Sequence, residues 1–215
     1  MAFFDFIQAR EKSMKNWLLC IVMAMSGAGA LAQAPTVRFH AHVGYSAGGD
    51  TLASGTYVSG NTYSIDAGKG VIMALGADVR VAEKVTLQAT LGHHRDTTNA
   101  SNGEIVFKRT PIELLGFYDI GENFRLGGGL RKAQNAEVTA SGAAAGISAA
   151  GAYESTVGAV LEGQYFFNSL RYGASERKAL WGVGVRLVNE SFKQTNSTAG
   201  SKNGSHLALS FLFYY

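Results

Sequence analysis

Five histidines, His40, His42, His93, His94 and His206, are the side chains best suited to acid–base or metal chemistry in this chain. A hydrolytic site needs one of them within hydrogen-bond reach of a hydroxyl nucleophile and oriented by a carboxylate. Ser205 with His206 and His94 with Asp96 are the local combinations. Neighbouring side chains on an extended strand point to opposite faces, so Ser205 and His206 diverge. His93 and His94 diverge for the same reason, and no further His or Cys spacing suggests a metal site. His40 and His42 share a face, where two imidazoles fit hydrogen-bonded interior residues better than ligands. Gly68-Lys69-Gly70 and Gly127-Gly128-Gly129 lack the strand-to-helix setting of a phosphate loop. These residues therefore lead to an expectation of no enzyme, no metal and no cofactor; a site assembled from distant residues is the alternative.

The charged residues carry a stronger pattern. Arg38, Asp78, Arg80, Arg109, Glu113, Arg125, Arg131, Glu162 and Arg186 each fall on the polar side of a segment with period-two alternation. Val37 to Ser46 sets Val37, Phe39, Ala41, Val43 and Tyr45 against Arg38, His40 and His42. Val71 to Val81, Val85 to Gly92, Phe124 to Arg131, Val157 to Tyr165 and Trp181 to Val188 repeat the division. Ile105 to Asp119 is less regular, and Pro111, which cannot donate to a ladder, predicts a bulge or a lapse in pairing there. Ala82-Glu83-Lys84 and Gly121-Glu122-Asn123 read as tight turns and Asn168 to Lys178 as a longer polar turn, whereas His94 to Gly103, Ala133 to Ala152 and Ser191 to Gly204 read as polar or low-complexity loops. Together with the terminal segment this makes about eight strands, an even number that closes antiparallel and leaves no open edge.

Both ends of the sequence indicate where such a barrel resides. Ser205 to Tyr215 places Leu207, Leu209, Phe211, Phe213 and Tyr215 on one face, a wholly apolar face ending in an aromatic residue. Met14 to Ala32 has the layout of a cleaved secretory signal: Lys15, an apolar stretch from Trp17, then Ala30-Leu31-Ala32 before Gln33. The expected organisation is thus residues 1–32 as extension and signal peptide and residues 33–215 as one barrel domain. Cys20, the single cysteine, falls within the signal. Without that segment the charge balance changes from 19 minus 16 to 16 minus 14 through Arg10, Lys12, Lys15, Asp5 and Glu11. A near-neutral chain without basic runs gives no argument for nucleic-acid binding. No apolar run long enough for a spanning helix follows the signal, so if this chain crosses a membrane it does so with strands.

A soluble barrel would turn its apolar face inward. The export signal, the terminal strand and the many charges on the opposing face argue for the inverted arrangement. The expected fold is all-β, an eight-stranded antiparallel up-and-down transmembrane β-barrel. Its interior charges should meet and satisfy one another, because such a barrel is just wide enough for its own side chains. The interior positions Gly76, Gly127, Gly129, Gly182 and Gly184 leave room for long arginine side chains or for a thin passage.

The terminal strand, Glu113-Leu114-Leu115-Gly116-Phe117-Tyr118, Arg125-Leu126-Gly127-Gly128-Gly129-Leu130 and Glu162-Gly163-Gln164-Tyr165 resemble the small outer-membrane barrels of the OmpA, OmpX and OmpW type. The resemblance implies residence in the bacterial outer membrane, contact with its lipid and lipopolysaccharide, and recognition of Leu207, Leu209, Phe211, Phe213 and Tyr215 by the barrel assembly machinery. It also implies a choice among a plugged structural or surface-binding protein with an unknown surface ligand, a narrow channel for small or hydrophobic solutes, and a lipid A-modifying enzyme. The His-x-Ser motif of the lipid A deacylase barrels has no counterpart here.

Overall fold

The computed structural model describes residues 37–56, 60, 62–100, 102–170 and 179–215. The signal-peptide reading of residues 1–32 lies outside them, as does most of the connection expected over Asn168 to Lys178. The described strands are β1 (Val37–Gly48), β2 (Thr51–Thr56), β3 (Thr62–Asp66), β4 (Gly70–Ala82), β5 (Val85–Ala100), β6 (Gly103–Ile120), β7 (Phe124–Gly142), β8 (Gly151–Ser155), β9 (Val157–Phe166), β10 (Leu180–Asn189), β11 (Ser191–Gln194), β12 (Lys202–Asn203) and β13 (His206–Tyr214).

Eight of these strands pair antiparallel in a ring. β1 pairs with β4, β4 with β5, β5 with β6, β6 with β7, β7 with β9, β9 with β10, β10 with β13, and β13 with β1. Closure is completed by reciprocal backbone bonds between Phe39 and Tyr215 at 2.9 and 2.8 Å. Around the ring each strand has a paired neighbour on both sides, the condition a sheet must meet to sit in hydrocarbon.

The outward face is the apolar one. Val37 to Tyr45, Val71 to Val81 and Leu207 to Tyr215 match the about 9–11 residues of a tilted transmembrane strand. Tyr118, Tyr165, Trp181 and Tyr215 stand outward and exposed around the end that carries Val37 and Tyr215. The inward alternates include Arg109, Arg125, Arg131 and Arg186, all fully buried. A greasy exterior over a charged interior is the polarity of a barrel embedded in lipid.

The turn at Glu83 and Lys84 and the one at Gly121 to Asn123 are as short as their composition predicts. Around Pro111 the β5–β6 register skips from Leu91–Ile112 to His94–Arg109, the lapse that a missing N–H predicts. The other end departs from expectation. His94 to Gly103 is not a loop but the continuation of β5 into β6, and much of Ala133 to Ala152 belongs to β7 and β8. Part of Ser191 to Gly204 forms β11 and β12. These extensions make a sheet beyond the apolar band, in the order β12-β11-β8-β7-β6-β5. A hairpin of β2 and β3 leaves β1 through Gly48 and Gly49, both at positive φ. A Cβ at Gly49 would lie 2.4 Å from the Gly68 nitrogen, so the crossing of the hairpin's two roots requires glycine.

Leu75, 68 % exposed near the middle of β4's apolar face, separates the two polarities experimentally. Leu75→Arg should cost about 2–4 kcal/mol of folding free energy in lipid vesicles, measured by reversible urea unfolding. A value within about 0.5 kcal/mol, normal for a water-exposed position, would mean that this face does not meet lipid.

Candidate functional site

The interior is filled in layers. At the end carrying Val37 and Tyr215, Phe166, Leu170, Leu180, Leu212 and Tyr214 form an apolar cluster. Leu170, on the connection expected to be a plain polar turn, is 3 % exposed and bonds through its backbone N–H to the Glu122 carbonyl at 2.6 Å.

Above this cluster lies a layer centred on Arg125. Its Nε donates to Gln164 at 2.7 Å, one terminal nitrogen to Asp78 at 2.8 Å and the other to the Tyr214 hydroxyl at 2.7 Å. Gln88 donates to Asp78 and to Tyr214 at 2.8 and 2.9 Å. The guanidinium also lies 4.4 Å from the Phe117 ring centre, a cation–π contact worth more when water is excluded. Arg38 is buried directly across the strand pair from Asp78.

The central layer is carried by Glu113. Its carboxylate accepts from Arg131 at 2.7 Å and, through both oxygens, from Arg186 at 3.1 Å. Arg186 also donates to Glu162 at 2.5 and 3.1 Å, and Arg131 to Glu190 at 3.1 Å. Gln164 joins the two layers by donating to Glu162 at 2.8 Å. Sheet register explains these meetings: Glu113 faces Arg131 across β6 and β7, and Glu162 faces Arg186 across β9 and β10. Charge-assisted, partly bidentate bonds of this kind offset the cost of taking each ion out of water.

Two predicted members lie at the margins of this linkage. Arg80 lies toward the terminal end, with its side chain 21 % exposed, and pairs with Asp119 at 3.1 Å rather than with an interior glutamate. Arg109 meets His94 at 2.9 Å and the Lys69 carbonyl at 3.4 Å, with its guanidinium 4.6 Å from the Phe107 ring centre. The glycines also serve differently from the expected clearance for arginines. A Cβ at Gly76 would meet the His40 ring, at Gly127 the Phe117 ring, and at Gly184 the Glu162 carboxylate.

Ser46 and His94 come together in the upper layer with Oγ and Nε2 2.8 Å apart, a pairing between strands that sequence spacing does not suggest. Arg109 shares that Nε2 at 2.9 Å, Arg131 rather than a carboxylate lies 3.4 Å from Nδ1, and both Ser46 and His94 are fully buried. Asp96, once a candidate partner for His94, instead accepts the backbone N–H of Asp66 and Thr97, both at 3.1 Å. Burial nevertheless pushes the Asp96 carboxyl above its ordinary range. His206 Nδ1 lies 2.8 Å from the Gly204 carbonyl oxygen. Among the described residues no cluster of His, Cys, Asp and Glu could hold a metal ion.

A second apolar cluster covers the charged layers at the far end. Ile65 and Ala67 from the hairpin root pack with Ile105, Phe107, Ala133, Ala136, Val138, Tyr153 and Phe192. Phe107 makes edge contacts with Tyr153 and Phe192 at 5.9 and 5.4 Å. Sequence reasoning missed Tyr214, Gln88, Gln164 and Glu190. The first lies inward between two outward aromatics, and Glu190 occupies the break between β10 and β11.

Glu113→Ala leaves two buried guanidinium groups short of a counter-charge and should destabilise the barrel by about 3–5 kcal/mol in urea titrations in vesicles. Arg95→Ala should change it by no more than about 1 kcal/mol, because its pair with Glu104 at 2.8 Å is about half exposed. Equal effects would contradict the division between an interior linkage and a peripheral pair.

No family model matches the chain, and no curated protein does. Among solved structures it is similar to Neisserial surface protein A, with 11% identity, a TM-score of 0.45, and coverage of 84% of this chain and 98% of that one. It is also similar to Ail, the attachment invasion locus protein of Yersinia pestis, with 11% identity, a TM-score of 0.40, and coverage of 83% and 99%. For the outer membrane protein OprG of Pseudomonas aeruginosa the values are 13% identity, a TM-score of 0.38, and 86% and 99% coverage. The chain's own ring of pairings and its reversed polarity identify it as an eight-stranded transmembrane β-barrel, the architecture of the small outer-membrane barrels.

Proposed function

We propose that this protein is a non-conducting, non-enzymatic barrel of the bacterial outer membrane, serving envelope integrity or surface contact through the sheet beyond its apolar band. The observation that carries this reading is the filled interior: charged layers joined by Gln164 and bounded by apolar clusters at both ends. A conducting lumen needs a continuous aqueous path, whereas here Arg125, Arg131 and Arg186 spend donors on neighbouring side chains. Hydrolysis needs an accessible nucleophile with an oriented base, and the Ser46–His94 pair is sealed and flanked by arginines.

The tight turns share one end of the barrel with Val37 and Tyr215, and the extended strands occupy the other. Outer-membrane barrels place short turns in the periplasm and long segments outside, so the β5–β8 and β11–β12 extensions face the exterior. The outward residues Leu207, Leu209, Phe211, Phe213 and Tyr215 are the segment offered to the assembly machinery, and the apolar belt is offered to membrane lipid and lipopolysaccharide.

Planar-bilayer recording tests the non-conducting reading. The wild-type protein should give no steady conductance steps. Steady steps in the wild type that change in Arg186→Ala would replace this reading with a narrow solute channel.

A further inference from the structure

We infer that the upper layer of the interior binds one small monovalent anion, a halide such as chloride, against Arg109; the inference rests on the sealed interior proposed above. Arg125, Arg131 and Arg186 are each ion-paired with a buried carboxylate. Arg109 is as deeply buried, at 1 % exposure, yet among the described residues no carboxylate lies within ion-pair distance of it. One terminal nitrogen, Nη2, makes both of its hydrogen bonds, to His94 and to the Lys69 carbonyl. Nε and Nη1 are buried with no hydrogen-bond partner among the described residues. The Phe107 and Phe192 ring centres, 4.6 and 5.8 Å from the guanidinium carbon, attract part of the charge but offer these two N–H groups no oxygen or nitrogen acceptor. A buried cation with idle donors is strongly destabilising unless an anionic partner joins it.

The neighbouring groups add donors to this layer. A guanidinium can only donate, so His94 Nε2, 2.9 Å from Arg109 Nη2, accepts, and the neutral ring carries its proton on Nδ1. That nitrogen lies 3.4 Å from Arg131 Nη2, which is itself a donor. Two acceptors in the layer, Glu190 Oε1 and His206 Nε2, are also buried without a hydrogen-bond partner among the described residues. They suit the hydrogens of a water, but water brings no charge, and Glu190 is already the counter-ion of Arg131 at 3.1 Å. An anion accepts from Nε and Nη1 and supplies the charge that Arg109 lacks. The apolar cluster of Ile65, Ala67, Phe107 and Phe192 roofs the layer, so the ion must be small and shed its water. That selects a halide over phosphate or an organic acid. Arg109 also reaches Lys69 at the root of the β2–β3 hairpin, which places the ion where β5, β6 and that hairpin meet.

The test uses the full chain in two ways. Crystals grown in sodium bromide are measured at the bromine absorption edge, and urea unfolding in vesicles is followed as chloride replaces gluconate at constant ionic strength. The wild-type crystals should show one interior anomalous peak within hydrogen-bonding reach of Arg109 Nε and Nη1. Raising chloride from about 1 to about 100 mM should increase the folding equilibrium constant about tenfold, as expected of a ligand with a dissociation constant of about 10 mM that binds only the folded state. Arg109→Gln should lose this response, whereas Arg95→Gln, which alters an exposed pair, should keep it. The wild-type bromide map decides the matter even where Arg109→Gln does not fold. Density at Nε and Nη1 without a bromide signal, peaks confined to the surface, or a chloride response unchanged in Arg109→Gln would overturn the inference and leave the sealed interior standing. A column of water running through the lumen in the same map would overturn both.

Discussion

An arginine inside an eight-stranded barrel has neither bulk water nor spare volume, so its charge must be met by another side chain. Glu113 is the point at which this requirement is met for two strands at once, because Arg131 and Arg186 reach it from different sides of the lumen. Breaking one contact exposes a second charge, which makes the layer cooperative. The same contacts tie β6, β7 and β10 together across the interior, in addition to the backbone ladders around the wall. Apolar clusters at both ends keep water from competing for these bonds, so closure, filling and electrostatics depend on one another.

Strand phase was legible in the sequence wherever lipid sets it. Phe39, Leu75, Leu161 and Leu209 stand outward and Arg38, Glu162 and Arg186 inward because alternation in the band has a single physical meaning. Beyond the band that meaning reverses. On β6 the inward residues are Arg109 and Glu113 within the band but Ile105 and Phe107 above it, where the outward face meets water. The apolar phase of the sequence therefore slips by one residue although the strand continues. That slip made Ala133 to Ala152 and His94 to Gly103 read as loops. On β7 the slip is accompanied by a register shift against β6 and by Asn135 at φ 50°.

The interior was legible as a set of charges but not as a set of partners. Pairs such as Glu113 with Arg131 follow from strand register, which no single segment specifies. Contacts across the lumen, such as Arg125 with Asp78 or Ser46 with His94, follow from the curvature of the closed ring. Tyr214 illustrates the difficulty: its outward neighbours carry the lipid-facing signal, while its own hydroxyl accepts from Arg125 and Gln88. In the terminal strand the aromatic composition announces a membrane boundary and conceals that Tyr214 turns inward.

The central claim is that the wall faces lipid while the lumen is sealed, and paired cysteine accessibility measures both halves at once. In protein carrying Cys20→Ser, Leu209→Cys places a thiol outward in the apolar band and Ala208→Cys places one inward beside Arg186. In native membranes the account predicts that a lipid-soluble maleimide labels position 209 and that a charged, water-soluble maleimide labels neither position. Rapid labelling of position 208 by the charged reagent would show an open aqueous lumen and contradict the account.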